Sequence, residues 1–268
     1  MTQNVPKAID ELLEKINNHR LLECQKEWNT LQHNHREVIV SGTNLASYLQ
    51  ATEDNPDLAL EMMKNITPNT TRNGFFTLIS RDLTTLCASL TSIVDHSRRI
   101  FKKHYPDTLF FQEWNEKTAS IIKNPSALFL RDLRNYLSHF ASPPWTFEIS
   151  HIDTNPAAII SLNKSELLKW DGWKPLSLKL INETQNDIYL LPIVKEYLGL
   201  FQEFWVWVFS QFEYLHEEDI KEFDSLQKKQ ANLMTGGRLD SMIEVEAEFL
   251  ESVRELFRKE QEENDKFE

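Results

Sequence analysis

A mainly α fold, an up-and-down helical bundle carrying one small β-hairpin, is predicted by three features of the 268 residues. Sixteen Phe and seven Trp stand against only six Gly, which suits long packed helices with few tight turns. Apolar residues recur at three-four spacing over most of the chain, and only one stretch alternates strictly. That stretch follows a Pro-Pro pair.

Residues 7–33 read as one long amphipathic helix, with Ile9, Leu12, Leu13, Ile16, Leu21, Leu22, Trp28 and Leu31 on its apolar side. EVIVSG, at 37–42, fits either a strand or a helix turn. NLASYLQATEDNPDLALEMMKN then predicts a helix, a break at Asp54-Asn55-Pro56 and a short second helix. TPNTTRNG, at 67–74, has the composition of a loop. From Phe75 to His104 the apolar pattern predicts a long helix, and residues 107–122 predict another.

Asn124 followed by Pro125 is an N-cap and first-turn pair, so a further helix starts there and runs to about Phe140 before Ser142-Pro143-Pro144 ends it. WTFEISHI alternates, DTNP has turn chemistry and AAIISLN returns, which predicts a hairpin over 145–163. A short helix, a turn at Gly172 and a second helix follow. Residues 189–230 form a long aromatic-rich helix, in which Trp205 and Trp207 are two apart and so divide between core and interface. The expected organisation is an N-terminal helical segment packed on the core (1–70), a main helical domain (71–235) and an acidic C-terminal helix or tail (236–268).

The N-terminus lacks the basic and apolar regions of a signal peptide, and YLGLFQEFWVWVF is too short and too interrupted to span a bilayer. Cys24 and Cys87 lie in apolar helical patterns, which points away from a disulfide framework or zinc site and toward the cytoplasm. His33 and His35 have no ligand spaced to join them, and His104, His151 and His216 stand alone, so no metal site is expected. Nor is there a Gly-rich phosphate loop, and no cofactor is expected.

The formal net charge of −12 argues against a chain that coats nucleic acid with its whole surface. Its distribution is uneven: from His96 to His139 eight basic residues face four acidic ones, so this segment is +4 and the rest carries −16. Within it lie KKHY, at 102–105, a basic stretch able to contact RNA, and FLRDLRNYLSHF, at 129–140. On a helix the latter places Leu130, Leu133, Leu137 and Phe140 on an apolar face. Arg131, Asn135 and His139 recur every four residues beside an adjoining row of Arg134 and Ser138. Arg134 and His139 are about 140° apart around the axis, within reach of a common point near Asn135.

A guanidinium holds a phosphate through parallel hydrogen bonds, and a histidine moves protons near neutrality; together they suffice for phosphodiester transesterification without a metal. Spacing alone leaves two readings open, a site or the solvated side of a helix whose terminal histidine is favoured by the helix dipole.

RNYLSH, Arg134 to His139, resembles the R-x4-6-H signature of HEPN-domain ribonucleases, including the polar residue after the arginine. LRDLRNYLSHFASPP is similar to the motif helix of a bacterial HEPN subgroup, and SIVDHSRRI resembles the long helix that precedes it there. The resemblance spans about residues 75–215. It implies an HEPN-like all-helical bundle, a homodimer whose two motifs face one RNA cleft, and metal-independent endoribonuclease activity with the ribose 2′-hydroxyl as nucleophile. Stress, toxin–antitoxin or phage-defence roles follow, with an antitoxin or defence protein as a partner.

Carried over by position, Arg134 binds or polarises the phosphate, Asn135 supports it, and His139 transfers a proton or positions the substrate. Arg131 and Ser138 join from geometry. Asp95, His96 and Arg98 are assigned either to orienting the motif or to ordering two packed helices. The alternative from another class is a catalytically inactive HEPN-like module for dimerisation or partner binding. The acidic C-terminal helix is a candidate RNA mimic that restrains activity.

Overall fold

The computed structural model describes residues 5–64, 70–152 and 155–235. Among them are ten helices: α1 (Val5–Asn17), α2 (Arg20–Asp54), α3 (Pro56–Met63), α4 (Thr70–His104), α5 (Leu109–Ile122), α6 (Pro125–His139), α7 (Lys164–Leu167), α8 (Pro175–Glu183), α9 (Leu190–Leu215) and α10 (Glu217–Thr235). Strands β1 (Trp145–Ile152), β2 (Asn155–Leu162) and β3 (Ile188–Tyr189) form one antiparallel sheet in that order. The mainly helical class with a small β insert is therefore correct.

The described residues divide into two compact units, those within 1–26 and 213–268 and those within 27–212. Residues 27–64 belong with the larger unit because most of α2 supplies its core: Leu31, Val38, Leu45 and Thr52, seven apart, are all fully buried. The expected acidic tail at 236–268 lies outside the described residues.

In the smaller unit, α1 packs on α10. The single helix expected over 7–33 is broken at Asn18-His19. There the ring Nδ1 of His19 accepts from Leu21 N (3.2 Å) and its carbonyl from Leu22 N, satisfying donors that a new helix start leaves open.

In the larger unit, EVIVSG is helical. Gly42 lies beside α9, where an added Cβ would be 2.6 Å from Leu198 Cδ2, the end of a side chain that would have to shift. On α4, Ile79, Leu83, Leu86, Leu90, Ile93, Ser97 and Ile100 alternate three and four apart and are buried. The spacing continues on α9 through Val194, Tyr197, Phe201, Trp205 and Val208. Trp205 is core, while Trp207 is half-buried against Phe110 with Lys117 Nζ over its ring at 5.0 Å.

Helix α4 begins at Thr70, so the part of the expected 67–74 loop within the described residues is helical. Gly74 meets nothing within 4 Å, and its cost of about 1 kcal/mol is small beside the burial of the residues that follow. The hairpin pairs Trp145 with Leu162 through Ile152 with Asn155. On β2, Ala157, Ala158, Ile160, Ser161 and Leu162 are buried, as befits a central strand that also contacts α3. The aromatic helix expected over 189–230 is interrupted at His216, giving α9 and α10.

Candidate active site on helix α6

Helix α6 starts as its sequence dictates. Asn124 Oδ1 accepts from Ser126 N (2.8 Å) and Ala127 N (3.1 Å), and Pro125 occupies the first turn. Glu196 on α9 clamps this end, accepting from Asn124 Nδ2 at 2.8 Å and Ser126 Oγ at 2.6 Å. These hydrogen bonds hold its carboxyl below the usual value.

One side of α6 is fixed by packing and by a buried acid. Leu130 and Leu133 are fully buried, Phe129 stacks on Trp173 (5.8 Å, 4°), and Tyr136 stacks on the same indole (5.8 Å, 19°). Asp132 is only 1% exposed. Its Oδ2 accepts from Lys174 N (3.2 Å) and Ser177 Oγ (2.7 Å), capping the start of α8, while its Oδ1 accepts from Arg131 Nε and Nη2 (both 3.0 Å). Lys174, the α8 N-cap, makes no side-chain cap of its own, so Asp132 supplies it from another helix.

The predicted site residues fall into separate groups. Arg134 is half-buried and donates from Nη1 to Asn135 Oδ1 at 3.0 Å, so these two are brought together. Across the α4–α6 contact Arg134 faces buried Cys87, whose thiol is pushed up to about 12 by burial, with the Arg134 charge acting in the opposite sense. Ser138 and His139 are exposed at the C-terminal end, and among the described residues neither makes a hydrogen bond or ring contact. The expected continuous polar side is therefore divided, because Arg131 turns to Asp132.

The α4 candidates divide as well. Asp95 pairs with Arg98 at 3.4 Å on the surface. Half-buried His96 accepts through Nδ1 from Asn34 Nδ2 on α2 at 2.7 Å, so it orders two packed helices and does not join the Arg134 group. In KKHY, Lys103 and His104 engage Glu27 at 3.1 and 2.5 Å. His35 stacks on Phe201 at 5.4 Å, and burial pushes its pKa down.

Phe140, expected on the apolar face, is 50% exposed as the C-cap residue. His216 is not isolated: in the smaller unit it lies 3.7 Å from Cys24 Sγ and 3.2 Å from Asp219 Oδ2, and Arg20 also binds Asp219. Burial alone would raise Asp219, but the hydrogen bonds and charges of Arg20 and His216 outweigh it and hold the carboxyl low. The sequence signal for this cluster was a histidine directly before the acidic start of a helix. Asp132 had no local signal, since its partners lie 42 and 45 residues away.

Among the described residues no three His, Cys, Asp or Glu side chains are grouped to hold a metal ion, and no helix is long and apolar enough to cross a membrane. No family model matches the chain, and no curated protein or solved structure matches it.

Proposed function

We propose that the chain is a metal-independent endoribonuclease of the HEPN type, with Arg134 and His139 as its catalytic residues and Asn135 as support. The observation that carries this reading is the state of Arg134. Its guanidinium is half-buried and held by a neutral amide, so no carboxylate cancels its charge at that contact. A bound phosphate would complete it through charge-assisted hydrogen bonds.

In the proposed reaction the ribose 2′-oxygen attacks phosphorus, its proton passes to a base, and the P–O5′ bond breaks as the 5′-oxygen takes up a proton. The products are a 2′,3′-cyclic phosphate and a 5′-hydroxyl. His139 is free to serve either proton transfer, and Arg134 stabilises the charge that develops on the phosphoryl oxygens. His139 lies about 7.5 Å further along the helix axis than Arg134. The homodimer implied by the resemblance would present two copies of the group to one RNA strand. A cytoplasmic setting and a bacterial stress, toxin or defence role belong to the same reading.

The test is to incubate the chain with mixed RNA in excess chelator and identify the product ends. Cyclic phosphate and 5′-hydroxyl ends, lost in Arg134→Ala and His139→Ala, are expected; cleavage surviving both substitutions overturns the assignment. The second reading, an inactive interaction module, is favoured by exposed Phe140 directly beside His139. It would be shown by the absence of cleavage together with a dimer that Phe140→Ser dissociates.

A further inference from the structure

We propose that a cavity walled by α4, α5, α6 and α9 binds a small aromatic monocarboxylic acid, independently of the RNA-cleaving group. The cavity measures about 250 Å³ and lies wholly within the larger unit. Its lining runs from buried Trp114 and Phe201 out to exposed Ile122 and Arg131, so it opens to solvent and a ligand can enter. By comparison with benzene in a cavity of roughly 150 Å³, it takes a molecule of roughly ten non-hydrogen atoms.

The wall dictates the chemistry of the occupant. Val94, Tyr197, Phe201 and Phe204 make most of it apolar and aromatic, which suits a ring. Trp114 also lines it; the residue is only 2% exposed, yet its Nε1 has no hydrogen-bond partner among the described residues. Thr118 Oγ1, one turn further along α5 and on the same wall, is also buried and unpartnered. An indole N–H can only donate, so what it meets must offer an acceptor. A buried donor left unsatisfied is costly, which makes such an acceptor strongly selected.

Arg98 and Arg131 reach the same cavity from α4 and α6. Among the described residues Arg98 pairs with Asp95, at 3.4 Å on the surface, a contact worth little against a better-placed anion. Arg131 gives Nε and Nη2 to Asp132, leaving Nη1 available. Asp132 neutralises Arg131 and Asp95 is itself on the wall, so Arg98, held by a weak surface contact, is the cation a ligand can recruit there. That balance fits a monoanion better than a phosphate dianion. An acceptor with one negative charge on an aromatic body is a carboxylic acid such as 3-phenylpropionate.

The experiment is calorimetric titration of the full chain with 3-phenylpropionate, 3-phenylpropan-1-ol and 3-phenylpropylamine, which share a body and differ in the head group. The acid is expected to bind at least about tenfold more tightly than the alcohol, as for a hydrogen bond to a charged group, and the amine not at all. Trp114→Phe, which keeps the ring and removes the N–H, should weaken the acid about tenfold. Arg98→Gln should bring the acid to the level of the alcohol, and Ala127→Leu, which fills the cavity from α6, should abolish binding of both. Thermal melts establish that each variant is folded. Equal binding of acid and alcohol, acid binding unchanged in Trp114→Phe, or no heat from any of the three compounds would each overturn the proposal.

Discussion

Arg131 and Arg134 are one turn apart on α6, yet their charges are handled in opposite ways. Arg131 is neutralised by the buried carboxylate of Asp132, which at the same time caps α8. Arg134 is held by the amide of Asn135, which positions it without cancelling its charge. A carboxylate partner makes an arginine part of the scaffold, whereas an amide partner leaves it able to receive an anion. On the proposed reading Arg131, in the middle of α6, serves architecture and Arg134, nearer its C-terminus, serves chemistry.

The largest effect expected is on activity, at His139. His139→Ala should lower RNA cleavage by about 10²- to 10⁴-fold, the range for loss of a proton-transfer group, with the urea midpoint unchanged because the side chain is exposed and unpartnered among the described residues. Single-turnover cleavage alongside urea melts checks both halves. A fall in stability matching the fall in rate would show that His139 belongs to the scaffold.

At Asp132 the effect should fall on stability. Asp132→Ala leaves Lys174 N–H and Ser177 Oγ without their acceptor and Arg131 without its counter-charge, so a loss of about 2–3 kcal/mol is expected from urea unfolding. Asn135→Ala, which removes one partly exposed hydrogen bond, should cost less than about 1 kcal/mol. Equal losses would erase the distinction between the two arginines' partners.

A smaller effect concerns the clamp at the start of α6. Glu196 is held below its usual carboxyl value by hydrogen bonds from Ser126 and Asn124. A depressed folded-state value means that its stabilisation is complete above the unfolded value, about 4.3, and disappears as pH falls through the folded one. Urea midpoints should therefore drop on acidification below about pH 4.3, and less steeply in Glu196→Gln. Identical slopes for the two proteins would show that the clamp does not contribute.

Features coded by neighbouring residues were legible in the sequence. Asn124-Pro125 marked the start of α6, Asp54-Asn55-Pro56 the break before α3, and the alternation after Pro144 the hairpin. Features decided by distant partners were not. The two-residue β3 is too short to alternate and exists because it adds to β2. The breaks at His19 and His216 interrupt no apolar pattern, and Asp132 looked like one more charge on a wet face until α8 supplied its donors. In the same way Arg131 and Arg134 lie on adjoining rows of one polar side, and their different surroundings show only in their partners, Asp132 and Asn135. The hydrogen bond from Arg134 to Asn135 joins adjacent residues, yet from sequence Asn135 is assigned to the phosphate, and the path of His96 to α2 depends on Asn34, 62 residues away.

The most direct measurement compares Arg131→Ala with Arg134→Ala in single-turnover RNA cleavage under excess chelator. The account predicts a loss of about 10²- to 10³-fold for Arg134→Ala, as for other donors aimed at developing charge, and a change of less than about threefold for Arg131→Ala at a temperature where both are folded. Equal losses, or a greater loss at Arg131, would contradict it.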